Sequence, residues 1–110
     1  MNDKVKDRAD KALEYLVDTD ELAASLKREA TKAEQRWKSL RDTRFLADTQ
    51  GTVADRTAQA ANRNDVQSAY TDYIEACFEY DTVVNRRKTE AMCVDYCRSL
   101  MANRRQGNVT

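Results

Sequence analysis

Six basic residues late in the chain could do chemistry on phosphates. They are Arg86, Arg87, Lys88, Arg98, Arg104 and Arg105. Guanidinium and ammonium groups pair with phosphate oxygens, so such residues spaced along a helix can follow a nucleic-acid backbone or contact an acidic protein partner. The same residues could instead complement the negative end of a helix dipole. Both interpretations stay open at this point.

Three cysteines, Cys77, Cys93 and Cys97, are the next candidates for chemistry. Cys93 and Cys97 are four residues apart, so on a helix they share a face and could give two ligands to zinc, or four in a dimer. The usual CxxC spacing is absent, and small apolar residues in a helix interface explain all three cysteines more simply. We therefore expect no metal site and no cofactor. An odd number of cysteines also favours a reducing cytoplasm over a secreted disulfide framework.

Catalytic residues are hard to find. The chain has no histidine, the commonest general base, and it has neither a glycine-rich phosphate loop nor a nucleophile elbow. Its acidic residues stand at helix-surface spacings beside basic ones, as in solvated ion pairs. We expect a protein that is not an enzyme.

Five aromatic residues could stack on the bases of a single-stranded nucleic acid: Trp37, Phe45, Tyr70, Tyr73 and Tyr80. Their spacing instead places them on the apolar stripes of helices, where rings pack and hydroxyl groups reach the rim. We favour packing over a stacking platform.

The composition indicates which elements carry these residues. Only two glycines and no proline occur in 110 residues, and such a chain favours long helices over turns and sheets. Nineteen basic residues balance nineteen acidic ones, so no net charge draws the protein to nucleic acid or to a membrane. No apolar stretch reaches the ~20 residues that span a bilayer, and the start lacks the apolar core of a signal peptide.

Apolar periodicity predicts one helical domain over residues 1–110. Its helices are expected at about residues 4–17, 20–50, 52–61 and 65–105, with residues 106–110 as a flexible tail. Gly51 ends the second helix in this interpretation, and the pattern from Thr52 to Asp55 is typical of a helix start. The first two segments could be one bent helix or two.

The last helix carries heptad spacing, which predicts an all-α fold: an antiparallel, coiled-coil-like hairpin of long helices with a short linking helix. The expected interface or core seam consists of Trp37, Val66, Tyr70, Tyr73, Cys77, Tyr80, Val84, Ala91, Val94 and Met101. The apolar face of this helix is wider than two helices can cover, because it also includes Ile74, Phe78, Val83, Met92, Tyr96, Cys97 and Leu100. Acidic residues precede basic ones along this helix. We therefore expect a homodimer that forms a helical bundle, with antiparallel pairing as one explanation of the charges.

A set of short motifs resembles a family of small phage-encoded helical proteins associated with recombination and replication gene clusters. The motifs are Phe45-Leu46-Ala47, Gly51-Thr52-Val53-Ala54-Asp55-Arg56, Ala58, Tyr80, Arg86-Arg87-Lys88-Thr89, Arg98 and Arg104-Arg105-Gln106-Gly107-Asn108-Val109. The resemblance covers the chain from about Asp18 onward. Similar proteins carry tryptophan where this chain has Tyr96 or Cys97. The resemblance implies a phage origin and an accessory role near DNA metabolism, in the cytoplasm of the infected host cell.

These observations lead to one main functional hypothesis and two alternatives. We expect a phage accessory protein that binds a host or phage protein and modulates or inhibits a nuclease, recombinase or defence complex. One alternative is a recombination accessory protein that contacts DNA through its basic C-terminal half. The other is a structural homodimer, such as a virion or scaffold component.

Overall fold

A computed structural model describes residues 2–107 of the chain, with side chains from residue 4 to residue 105. Four helices occur in this part: α1 (Asn2–Asp18), α2 (Asp20–Ala47), α3 (Val53–Ala61) and α4 (Asn64–Gly107). No strand is found between residues 2 and 107. The predicted all-α hairpin of long helices is confirmed. Among the helices of these residues, none is long and apolar enough to cross a membrane.

The ends of two helices differ from the prediction. Helix α2 ends at Ala47, before the predicted end near Gln50, and the extended backbone of Thr52 then caps α3. Helix α4 runs to Gly107, so residues 106 and 107 of the predicted flexible tail are helical. The rest of that tail, residues 108–110, lies outside the described residues.

Residues 4–50 form two helices, because α1 and α2 are separated at Thr19. Its backbone N–H still donates to the Tyr15 carbonyl at 3.0 Å, and its own carbonyl accepts from Ala23 N–H at 2.9 Å. Its hydroxyl also donates to the Tyr15 carbonyl, at 2.7 Å. A threonine that bonds back to the preceding turn in this way bends a helix, which explains a break of one residue.

The connection between α2 and α3 depends on glycine. Gly51 has φ +91°, in the left-handed region that other residues adopt at a cost. A Cβ at this position would also lie 2.9 Å from Cβ of Asp55. Asp55 is needed there because it completes the predicted capping box: its N–H donates to the Thr52 hydroxyl, and its carboxylate accepts from the Thr52 N–H.

The chain folds into two compact units. In the first, which contains residues 2–24 and 81–107, α1 lies antiparallel to the last part of α4. The order of contacts shows the direction, because Arg8 meets Glu90 whereas Tyr15 meets Arg86. The buried apolar residues of this unit are Ala9, Ala12, Val94 and Cys97.

The second unit contains residues 25–80, and here α2 lies antiparallel to the first part of α4. Arg44 meets Asp65 near the turn, whereas Trp37 meets Tyr70 and Tyr73 farther along. The buried apolar residues of this unit are Ala30, Ala33, Ala60, Val66 and Ala69. The two sets together contain mostly alanine, and Val66 is the largest side chain buried below 2% exposure in the described part. The helices therefore pack through small residues, and larger apolar side chains stay near the surface.

Burial corrects part of the predicted seam. Val66 and Val94 are buried, and six further members are half-buried: Trp37, Tyr73, Cys77, Tyr80, Val84 and Met101. Tyr70 and Ala91 are exposed. The heptad series that starts at Val66 is right. The second inward position falls one residue earlier than predicted in three heptads, at Ala69, Glu90 and Cys97, whereas in the two heptads between Tyr73 and Arg87 both adjacent residues are half-buried. The earlier residues in the five heptads have buried or half-buried side chains that are mostly small enough for close helix contact: Ala69, Ala76, Val83, Glu90 and Cys97.

Candidate functional site

Three aromatic rings meet in the second unit. The Trp37 ring centroid lies 4.8 Å from that of Tyr70 in a tilted arrangement, and 5.6 Å from that of Tyr73 with the planes nearly parallel at 12°. Tyr70 and Tyr73 themselves meet edge to face at 6.3 Å. These separations are typical of favourable aromatic pairs. The three rings form one cluster, in which Trp37 and Tyr73 are half-buried and Tyr70 is exposed.

An open groove of about 590 Å³ runs beside this cluster. Its lining residues are Trp37, Arg41, Ala61, Val66, Gln67, Tyr70 and Thr71. Helical spacing builds two of its walls, because Trp37 and Arg41 are one turn apart on α2, as are Gln67 and Thr71 on α4. The groove therefore combines an aromatic surface with a polar rim, the usual composition of a ligand or peptide site.

Arg41 places a cation over this aromatic surface. Its guanidinium carbon lies 5.1 Å from the Trp37 ring centroid, within the range of a cation–π interaction. Its Nε also lies 3.3 Å from the neighbouring Asp42 carboxylate. Tyr70 lies on the opposite wall and keeps 44% of its surface exposed. The half-buried Trp37 and Arg41 side chains and the exposed Tyr70 side chain thus line one concave surface.

The inner side of the cluster is held by titratable groups. The neighbouring Cys77 thiol, and after it the Glu34 carboxylate, raise the pKa of the Tyr73 hydroxyl. Glu34 in turn accepts a hydrogen bond from Lys38 Nζ at 2.6 Å, which lowers the pKa of the Glu34 carboxyl. Tyr73 is half-buried and does not line the groove. Tyr70 is left as the tyrosine available to the groove.

Three arginines close the turn beyond the groove. Arg44 donates from Nε and Nη2 to one Asp65 oxygen at 2.9 and 2.6 Å, which holds the pKa of Asp65 below its usual value. Separately, Arg63 Nη2 lies 2.7 Å from Asp48. The third, Arg56, lies over the Phe45 ring at 4.4 Å and donates to the Phe45 carbonyl at 3.1 Å. Several motif residues that carry the phage-family resemblance therefore build this turn.

Two of the six basic residues predicted to contact a partner serve the fold of the first unit. Arg87 donates from Nη1 to the Leu16 carbonyl and to the Thr19 hydroxyl, both at 2.7 Å. Its Nη2 reaches Asp20 at 3.3 Å. Arg86 lies over the Tyr15 ring with its guanidinium carbon 4.2 Å from the centroid. To bind phosphate, Arg86 and Arg87 would have to give up these contacts.

The other four predicted contact residues, Lys88, Arg98, Arg104 and Arg105, are exposed on α4. Their exposure suits solvent, an acidic partner or a phosphate equally. DNA contact through this half of the chain therefore stays a prediction. Since Arg86 and Arg87 make contacts within the chain, fewer basic residues are left for DNA contact than the sequence suggests.

The cysteines lie at helix interfaces, as predicted. Cys93 and Cys97 have their sulfur atoms 4.0 Å apart, and burial is the main cause that raises the pKa of the Cys97 thiol. Cys77 is half-buried beside Tyr73. Within residues 2–107, no three or more His, Cys, Asp and Glu side chains come together as a possible metal site.

Sequence reasoning missed Arg41, which was not among the predicted contact residues. The available signal was its position four residues after Trp37, a spacing that stacks two side chains on a helix surface. The role of Tyr70 was also different from the prediction, because this ring faces the groove as well as the aromatic cluster.

Comparisons with known proteins add no relative. No family model matches the chain, and no curated protein or solved structure was found to be similar to it.

Proposed function

We propose that this chain is a non-catalytic protein that docks onto another protein, and that the groove between Trp37 and Tyr70 receives a segment of that partner. The context we propose is the one implied by the phage resemblance. There, the chain acts as an accessory protein in the cytoplasm of an infected cell and modulates or inhibits a nuclease, recombinase or defence complex.

The combination of Trp37, Arg41 and Tyr70 in an open groove carries this proposal. Trp, Tyr and Arg are the residues most enriched among those that dominate binding energy at protein interfaces. They contribute most where they line a pocket from which a partner can exclude water. Arg41 already interacts with the Trp37 ring, so little side-chain entropy is left to lose on binding.

The groove also indicates what kind of segment fits. Its aromatic walls favour apolar side chains, and the Gln67 and Thr71 side chains on the rim can hydrogen-bond to a peptide backbone. Arg41 adds a positive charge at one side, which favours a segment with an apolar anchor flanked by a carboxylate. Such a short anchored segment is a common mode of peptide recognition.

Two groove variants test the proposal. Tyr70→Ala removes an exposed ring, and Thr71→Arg blocks the opening without touching the aromatic cluster. We expect each to weaken binding to a purified partner by about tenfold or more. The partner would first be captured from infected-cell lysate with the unaltered protein, and binding would then be measured by calorimetry.

The matched control is Leu46→Ala, since Leu46 is as exposed as any apolar residue of this unit but does not line the groove. It should leave the affinity unchanged. Circular dichroism would verify that all three variants keep their helix content. A partner that binds Thr71→Arg and Tyr70→Ala as tightly as the unaltered protein would overturn the groove as the docking site.

A further inference from the structure

Besides Tyr70 at the groove, four large apolar side chains on α4 are exposed to solvent: Ile74 at 46%, Phe78 at 71%, Met92 at 68% and Tyr96 at 66%. Phe78 and Met92 each stand two residues before an inward-facing residue, Tyr80 and Val94 respectively. Two residues correspond to about 200° around an α-helix, so these side chains point away from the face that packs internally. The groove described above is not involved, and this inference is independent of it.

All four side chains lie on one side of α4. Ile74 and Phe78 are one turn apart, as are Met92 and Tyr96. From Ile74 to Met92, and from Phe78 to Tyr96, the distance is eighteen residues, which is five complete turns of an α-helix. Because α4 is uninterrupted from Asn64 to Gly107, this spacing places the four residues in one stripe along it.

The stripe is symmetric about Asn85. Phe78 lies seven residues before Asn85 and Met92 seven residues after it, while Ile74 and Tyr96 lie eleven residues before and after. A partner unrelated to this chain gives no reason for such symmetry. Two copies of one helix that cross antiparallel on a two-fold axis do require it, because every contact is then made twice.

We propose that the stripe is the contact between two copies of this chain, paired antiparallel through α4 with the two-fold axis beside Asn85. Phe78 of each copy packs against Met92 of the other, and Ile74 packs against Tyr96. The two Asn85 side chains meet at the centre, where their amides can hydrogen-bond to each other. A polar residue at such a position fixes the register and orientation of paired helices.

The charges beside the stripe fit this orientation. Asp81 lies four residues before Asn85 and Lys88 three residues after it, and both are exposed on the same edge of the stripe. In the antiparallel pair, Asp81 of each copy therefore lies next to Lys88 of the other. In a parallel pair, the two-fold axis would place this edge of the two copies on opposite sides of the helix contact, so neither Asp81–Lys88 contact would form.

Charge reversal separates these possibilities. Asp81→Lys alone and Lys88→Asp alone each turn both attractive contacts of the antiparallel dimer into repulsive ones. We expect each to raise the dimer dissociation constant, measured by sedimentation equilibrium at low salt, by about tenfold. The double variant Asp81→Lys/Lys88→Asp restores both contacts and should return the constant to that of the unaltered protein. Single variants that dimerise normally would overturn the antiparallel arrangement.

The apolar contact has its own pair of variants. Phe78→Lys should give a monomer, whereas Leu46→Lys, at an equally exposed position outside the stripe, should still dimerise. Circular dichroism must show the same helix content in both. An unaltered protein that stays monomeric at about millimolar concentration, or a Phe78→Lys variant that dimerises as well as Leu46→Lys, would refute the proposal.

Cross-linking locates the axis. Asn85→Cys places a thiol on the two-fold axis and should give an interchain disulfide under mild oxidation. Asn103→Cys, also exposed on α4 but far from the axis, should not. The native cysteines are present in both variants, so any disulfides that they form contribute equally to both results. Equal cross-linking at the two positions would contradict the proposed centre.

Discussion

Arg87 Nη1 lies 2.7 Å from the carbonyl oxygen of Leu16. Leu16 is in the last turn of α1, where carbonyl groups lack partners within the helix and carry partial negative charge. A guanidinium group from α4 satisfies one of them and also donates to the hydroxyl of Thr19, the residue that separates α1 from α2. A residue that resembles part of a phosphate-binding strip in the sequence thus holds together the first unit.

Replacing Arg87 should therefore destabilise the fold. Arg87→Ala removes three hydrogen bonds from a side chain that is only 22% exposed, and we expect the free energy of unfolding to fall by about 2 kcal/mol in urea denaturation. Arg98→Ala is the matched control on the exposed surface of α4 and should change stability by less than about 0.5 kcal/mol. Equal effects at the two positions would show that the Arg87 contacts contribute little.

The small residues between the helices give a second prediction. Ala69 is 6% exposed where α4 packs internally, so Ala69→Leu forces a large side chain between two backbones. We expect a loss of about 1–3 kcal/mol, from urea denaturation. Ala24→Leu, at an exposed position of α2, should be nearly neutral, because leucine is also a good helix former. A stabilising effect of Ala69→Leu would mean that the helix contact has spare room.

The ion pair between Arg44 and Asp65 predicts a pH dependence. Its hydrogen bonds lower the pKa of Asp65 in the folded state, so the stabilisation is complete above the ordinary aspartate pKa and is lost as pH falls through the lowered one. Asp65→Asn should melt at a lower temperature than the unaltered protein near pH 7, and this difference should narrow towards about pH 2. A difference that is independent of pH would exclude the ionised carboxylate as its cause.

The two neighbouring cysteines should react at different rates. Burial raises the pKa of Cys97, which keeps its thiol neutral and shielded at about pH 8, whereas Cys93 is half-buried. Mass spectrometry of the folded protein treated with iodoacetamide should show Cys97 alkylated about tenfold more slowly than Cys93. In urea the two rates should converge. Faster reaction at Cys97 than at Cys93 would mean that this part of α4 opens readily.

The comparison between sequence and structure is clearest where local signals act alone. The ends of α3 follow from Gly51, Thr52 and Asp55, because a left-handed residue and a capping box are local features that a short segment specifies by itself. The length of α4 follows in the same way from heptad spacing without a glycine or proline inside it.

Contacts between helices were predicted less well than these local features. Val66 was correctly placed in the core, whereas Ala69 was overlooked and Tyr70 was taken for the inward residue, because the larger side chain gives the stronger apolar signal. Which of two adjacent positions faces a neighbouring helix depends on how closely the backbones approach, and small residues permit the closest approach. The distance between the backbones of two packed helices cannot be predicted from the amino-acid sequence alone.

The contacts of Arg87 and Arg41 were likewise decided by the tertiary structure. The sequence alone determined that the chain is all-helical and where its long helices run, because these properties depend on periodicity and local capping. It did not separate surplus apolar residues from packed ones, since Val83, Cys97 and Leu100 were predicted to be in excess but are half-buried or buried. Only the tertiary structure decided that Arg87 binds the end of α1 and that Arg41 joins Trp37 and Tyr70 at a groove. Such roles depend on which residues, distant in sequence, the packed helices bring within hydrogen-bond or ring-contact distance.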